Sequence, residues 1–413
     1  MFGLSLVASA SALEVPYDYV VPCTPENAIF GHFSATKKPV VMVKSGAVVK
    51  IEGGGGTGGG LGGRGGRPAT ATGAPAPAPT PEEEAAARNK FYRDNNIPLT
   101  ADDPVVQEIV RAQKESPNKL PPPPGAPPGT GVGGHFIIGP VYIEEAEPGD
   151  SLEVRILDVT PRVPFGTTGS SPGRGGLALG TAIGVVATPA APAAGATPPA
   201  PATLDAPRAS SKITLLDLKR NAGVFSKDIE VPLGPFMGVM ATCPPDSEGP
   251  DRRSTKPGTF GGNLDCKELV AGSTLYLPVY QKGALFYTGD SHAAQGDGEV
   301  TGTAIETADT CTLQFIVHKG KTLKMPRAET PTDYIVFGLD ADLNKAMRQA
   351  VEEAVNFLEE KQGFDIFQAY SLSSIAVNFR VTQVVDQTLG IHGMIPKKIF
   401  VNDHDTYWYR ARL

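Results

Sequence analysis

Between Asn263 and Glu306 the chain gathers side chains that could do chemistry: Asn263, Asp265, Lys267, Asp290, His292, Gln295, Asp297, Glu299 and Glu306. His292 follows Asp290 by two residues, and in an extended segment such residues share a face. An imidazole beside carboxylates is the donor set of a hard or borderline divalent cation, and zinc with one open position activates water near neutral pH. The competing reading is structural: Asp290 and Asp297 would satisfy the backbone of glycine-rich turns. Asn263 and Asp265 repeat the two-residue spacing. Asp265 reads as a further ligand and Asn263 as a donor to a substrate carbonyl oxygen, or the pair as a capped turn before a strand. Lys267 reads as a solvated charge or an electrostatic stabiliser.

Two glutamates compete for proton transfer. Glu306 ends TGTAIE, expected as a strand, and Glu329 lies in PRAETPTDY. Burial and partners would set the acidity of each, and either could take a proton from an attacking water. Glu329 with Arg327 could instead be a structural ion pair. The four cysteines, Cys23, Cys243, Cys266 and Cys311, form no C-x-x-C pair and read as buried free thiols. Nothing near Cys266 predicts a lowered thiol pKa. The glycine runs at 53–66 lack the Lys-Ser/Thr ending of a phosphate loop.

These residues need a rigid scaffold, and the pattern around them is mostly β. Leu275–Val279 and Ala284–Tyr287 are short runs of β-formers bounded by glycine. An apolar run, a small residue with Gly, and an alternating strand recur around Gly46, Gly149 and Gly272, which reads as three hairpin-like units. Further strands are expected near 213–218, 229–233 and 312–318. A mainly β, sandwich- or barrel-like body over 15–330 follows, carrying short helices within 82–118. An α+β part covers 331–413. Its long helix begins near Asp340 with Leu343, Met347, Ala350, Ala354, Phe357 and Leu358 as the core face, and Gly363 stops it. A shorter helix, Ile366 to Ser373, and a strand from Val377 to Val385 follow.

At 413 residues the chain can bury a large core. Its net charge of −7, with both signs mixed, gives no basic surface for nucleic acid. No apolar run approaches the length of a membrane span. Residues 53–81 and 167–211, rich in Gly, Pro and Ala, read as mobile insertions. Phe2 to Ala8 with Ala10-Ser11-Ala12 makes residues 1–14 either a remnant export signal or a frayed terminus, leaving an exported or a cytoplasmic protein.

The blocks GGNLDCK at 261–267, GSTLYLPV at 272–279, GDSHAAQGDGE at 289–299 and PRAETPT at 326–332 resemble the acetamidase/formamidase family. The likeness covers about residues 15–52, 91–166 and 211–400. It implies a largely β body and hydrolysis of the C–N bond of a small linear amide to ammonia and a carboxylic acid. It also implies a divalent metal, zinc with calcium as the alternative, and no organic cofactor. On that reading Asp265, His292 and Asp290 hold the metal, Asn263 orients the amide, and Glu306 or Glu329 is the base. The expected partners are the amide alone and further copies of the chain in a homo-oligomer. His135 and His392 stand where the family pattern tends to place histidine, with structural hydrogen bonding expected of each. Ser291, where many relatives carry Gly or another small residue, and the two insertions depart from the pattern. If an insertion frames the site, larger amides or lactams become the substrates. A non-catalytic binding protein on the same fold is the other alternative.

Overall fold

The computed structural model describes residues 15–55, 79–120, 134–170, 175–177, 210–249 and 252–402. In chain order it opens with β1 (Tyr19–Val21), β2 (Ala28–Phe30), β3 (Val41–Val43) and β4 (Val48–Glu52), then α1 (Pro81–Asp94) and α2 (Pro104–Glu115). The next strands are β5 (Phe136–Ile143), β6 (Ser151–Pro161), β7 (Phe165–Ser170), β8 (Ser210–Asp217), β9 (Ala222–Ser226), β10 (Ile229–Pro232) and β11 (Phe236–Ala241). Strands β12 (Gly261–Asn263), β13 (Thr274–Pro278), β14 (Phe286–His292), β15 (Asp309–His318), β16 (Arg327–Glu329) and β17 (Asp333–Asp340) follow. The chain closes on α3 (Leu343–Gln362), α4 (Ile366–Ala376), β18 (Asn378–Gln383) and β19 (Leu389–Pro396).

The fold is mainly β, with a nine-stranded sheet in the order β1-β4-β15-β6-β13-β16-β17-β19-β18. A six-stranded sheet runs β12-β11-β14-β5-β2, with β3 also on β5, and a four-stranded one runs β10-β9-β8-β7. Val154, Ile156, Leu275 and Leu313 of the nine-stranded sheet share one apolar core with Ile138, Val141, Met240 and Phe286 of the six-stranded sheet. The Phe286 and Phe315 rings meet at 4.9 Å across it. Apolar side chains of the two sheets so share one core, which is the main apolar burial available to a β chain.

The three glycine turns are not hairpins. β3 pairs in parallel with β5, whereas β4 pairs with β1 and β15 in the other sheet. The strands flanking Gly149 (β5, β6) and Gly272 (β12, β13) are likewise split between the two sheets. Glycine supplies the positive φ for a reversal, +98° at Gly46 and +90° at Gly272, but says nothing of which partner the next strand finds. Here each turn is a corner between layers.

Other expectations shift locally. The ends of the 167–211 segment are ladder strands, with Thr167 paired to Ile213 and Ser170 to Ser210. Likewise Thr80 and Pro81 begin α1, where Thr80 and Glu83 form a reciprocal cap. The interiors of both insertions, and residues 1–14, lie outside the described residues. TGTAIE is not a strand: Glu306 makes only isolated bridges, to Thr167 and His292. In the C-terminal part Met347 is 37% exposed, and Ala346 and Ala350 take the inner face of α3. A Cβ on Gly338 of β17 would lie 2.0 Å from the Ala346 carbonyl oxygen, so helix and sheet meet at backbone distance and small residues line the contact. β16 pairs with β17, so the nine-stranded sheet runs unbroken across residue 330. None of the described helices is long and apolar enough to cross a membrane.

Candidate active site

The site lies where β11, β12 and β14 of the six-stranded sheet meet the Ala304–Thr307 segment. β14 delivers Asp290 and His292, with His292 opposite Phe236 of β11. Ala304–Thr307 runs alongside, bonded from the Ala293 N–H to the Ile305 carbonyl and from the Thr307 N–H to the Ser291 carbonyl. Glu306 therefore lies directly opposite His292. β12 leads through Asn263 to Asp265, and the turn after β14 brings Glu299. That turn is pinned from the far end of the chain, with the Gly298 N–H on the Thr382 carbonyl and the Val384 N–H on Gly298.

His292 Nε2 stands 3.2 Å from Glu306 Oε1 and 3.4 Å from Asp290 Oδ2. Donor atoms of Asp290, His292 and Glu306 lie within 4.8 Å of one another, as do those of Asp265, His292 and Glu299. His135 Nε2 approaches Asp290 Oδ2 at 3.7 Å, while its Nδ1 faces the Ser254 carbonyl at 3.1 Å. Asn263 Nδ2 donates to Asp265 Oδ2 at 2.7 Å and to Asp386 Oδ2 at 2.8 Å. Gln383 Nε2 donates to the Asn263 carbonyl and Gln295 Nε2 to that of Asp265.

Two features mark this cluster as built to hold something. First, Asp265 Oδ1, both ring nitrogens of His292, Glu299 Oε2, Glu306 Oε2 and Asn263 Oδ1 are buried without a hydrogen-bond partner. Buried polar atoms are normally satisfied, so a group of them converging on one place calls for a ligand. Second, a Cβ on Gly238 would lie 2.5 Å from Asp265 Oδ1, 2.8 Å from Asp290 Oδ2 and 3.0 Å from His292 Cε1. Gly238 leaves a cradle that any other residue would fill. The backbone is also strained here, since Asp265, Asp290, Glu299 and Asp386 all take positive φ, between 43° and 58°. Non-glycine residues adopt that region at a cost and concentrate at functional sites when they do.

The electrostatics agree. Burial, reinforced by the charges of Glu299 and Asp290, pushes the Asp265 carboxyl well above the usual carboxylate range. Burial likewise lifts Glu299 to about 9 and Asp386 to about 6, and raises Asp309 well above its ordinary value. Asp290 goes the other way: against the cost of burial, His135 and His292 draw it down to about 2. Burial also opposes a charge on His292, yet Glu306 and Asp290 raise it well above an ordinary imidazole. Without a cation the pocket holds more acid groups than its two imidazoles can neutralise. Carboxylate oxygens with an imidazole nitrogen fit a divalent cation in chemistry as well as in number.

Of the residues singled out in the sequence, Asp265, Asp290, His292, Glu306 and Asn263 are brought together and Glu329 is not. Glu329 sits on β16, accepting from Tyr276 Oη and, at 2.6 Å, from Lys397 Nζ. Asn263 has also spent its amide on two carboxylates, which leaves the acceptor Oδ1 open where a donor was expected. Lys267 pairs with Asp297 at 2.8 Å. The sequence pattern assigns no role to Glu299, Asp309, Gln383 or Asp386. Asp309, which caps no turn, sits on a strand with both carboxyl oxygens unpartnered, and Gln383 and Asp386 arrive from over a hundred residues away.

A profile described as the Acetamidase/Formamidase family matches residues 247–402. A formamidase of Methylophilus methylotrophus is 30% identical over 61% of this chain and 73% of its own length. The acetamidase structure from Yersinia enterocolitica superposes with a TM-score of 0.66 at 22% identity, covering 94% of each chain. That from Bacillus halodurans gives 0.62 at 24%, over 91% of this chain and 97% of its own. A mainly β scaffold around a buried acid–imidazole centre, with these relatives, defines an amidohydrolase. The chain belongs to the acetamidase/formamidase family.

Proposed function

We propose that the protein hydrolyses the C–N bond of a small linear amide, formamide- or acetamide-like, to ammonia and a carboxylic acid. The convergence of unpartnered buried donor atoms around His292 and the Gly238 cradle carries this reading. Asp265, Asp290 and His292 would hold a divalent cation, zinc by its donor set. Bound there, zinc polarises a carbonyl oxygen and lowers the pKa of water. Glu306 keeps Oε1 on the Ala304 N–H at 3.0 Å, and its free Oε2 takes the proton of the attacking water and returns it to the leaving nitrogen. Asn263 Oδ1 accepts an amide N–H and sets the orientation of the substrate. Asp386 and Gln383 keep Asn263 in place. Exposures of 1%, 4% and 0% at Asp265, Asp290 and His292 favour a substrate of few atoms.

Metal content and ammonia release, measured on the same preparations, test the assignment. Glu306→Gln should keep the metal and lose roughly 100-fold or more in turnover. His292→Ala should lose both. Full metal and normal turnover in His292→Ala would remove the proposed centre.

A further inference from the structure

A second constellation lies apart from the groups around His292. Cys266, one residue beyond Asp265, places Sγ 3.4 Å from Glu268 Oε2, and His392 of β19 places Nε2 3.3 Å from that same oxygen. The three donor atoms lie within 4.8 Å of one another. Cys266 and His392 are each 1% exposed, and the Glu268 side chain is 10% exposed. We propose that Cys266, Glu268 and His392 form a second, thiolate-containing site for a zinc-like divalent cation.

Two of the three donor separations match those of a tetrahedral site, and Sγ and Nε2 lie within 4.8 Å of each other. With metal–oxygen and metal–nitrogen bonds of about 2.0 Å and metal–sulfur of about 2.3 Å, tetrahedral angles put S···O near ~3.5 Å and N···O near ~3.3 Å. Those are the separations present. The neighbours orient each donor. Thr382 Oγ1 lies 2.8 Å from His392 Nδ1, and with Nδ1–H donating there the lone pair is left on Nε2. That Nε2 is buried and makes no hydrogen bond of adequate geometry, although Glu268 is close. Arg380 holds Glu268 by Oε1 at 3.0 Å, which turns Oε2 toward the sulfur and the imidazole. Packing alone accounts for a buried cysteine but not for a thiol and an imidazole nitrogen that converge on one carboxylate oxygen.

Burial and the Glu268 charge keep the Cys266 thiol protonated while the site is metal-free. On binding, the S–H proton passes to solvent and the sulfur lone pair goes to the metal. Thiolate and carboxylate then balance the two positive charges, with a neutral imidazole as third ligand and a fourth position for water. The ion would tie the segment after β12, which carries Asp265, to β19.

Sulfur separates this site from the first, whose donors are all oxygen and nitrogen. X-ray absorption on the full-length protein, loaded with excess zinc and desalted, should show a sulfur shell at about 2.3 Å from zinc. The shell should vanish in Cys266→Ser, and Cys266→Ser and His392→Gln should each bind one zinc fewer per chain than the wild type. Cobalt-loaded wild type should show the near-ultraviolet thiolate-to-cobalt charge-transfer band. Only nitrogen and oxygen around zinc in the wild type, a sulfur shell that survives Cys266→Ser, or an unchanged zinc count overturns the proposal. If Cys266→Ser does not fold, the wild-type spectrum together with His392→Gln decides it.

Discussion

Gly238 and Glu329 separate residues that form the site from residues that resemble it in sequence. Gly238→Ala would push a methyl group between Asp265, Asp290 and His292. Its contacts are side-chain ends, so the fold should survive while metal content falls about tenfold or more and amide turnover approaches background. Circular dichroism, metal analysis and ammonia release check this, and a Gly238→Ala enzyme with full metal and turnover would show that the cradle holds nothing. Glu329→Gln should do the opposite. It strips Lys397 of a buried partner, costing about 3 kcal/mol in a denaturant titration, with turnover within about threefold of wild type. A turnover loss near 100-fold would restore Glu329 as a base. At this scale the sequence was legible where chemistry repeats locally: the two-residue spacings of Asp290 with His292 and Asn263 with Asp265 do converge. Asp386 and Gln383 carry no such signal, because only the path of the β18–β19 connection brings them to Asn263.

Elements were more legible than their partners. The 3.6-residue pattern finds α3, and Gly363, at φ +68°, caps it as expected. The same pattern misassigns Met347, because an apolar period does not say how closely the facing strand approaches. Gly338 decides that. Gly338→Ala should force β17 and α3 apart and lower stability by about 2 kcal/mol or more in denaturant titration. A change under about 0.5 kcal/mol would mean the contact has room to relax. α4 depends on its ends more than its faces: it buries Ala369 and Ser373, exposes Phe367 and Ile375, and opens on a capping box at Asp365. Asp365→Ala should therefore cost about 1 kcal/mol, read from the same titration, and no measurable loss would assign the helix to packing alone. The glycine corners show the complementary limit. Turn chemistry is local and visible, whereas the pairing of a strand is settled by which sheet can bury its apolar face.

Across the whole molecule, the cation proposed for the centre would link its binding to stability and pH. In the metal-free protein Glu299 is held to about 9 and Asp386 to about 6, with Asp265 and Asp309 also raised, mainly by burial. These carboxyls bind protons more tightly folded than unfolded. A carboxyl raised on folding adds stability below its unfolded pKa and surrenders it as pH climbs toward its folded value. His292, also raised, changes stability in the same direction. Asp290, held near 2, is ionised throughout the interval above about pH 5 and adds no slope there. The metal-free protein should thus lose stability steadily from about pH 5 to about pH 9. Binding of the proposed cation would run the other way, since the protons on Asp265 and His292 must leave before these two can coordinate, so affinity should rise with pH. The difference in Tm between zinc-loaded and metal-free protein should widen from pH 5 to pH 8. Calorimetry of both forms across that range checks it, and a difference that stays constant or narrows would show that these acids do not surround the metal.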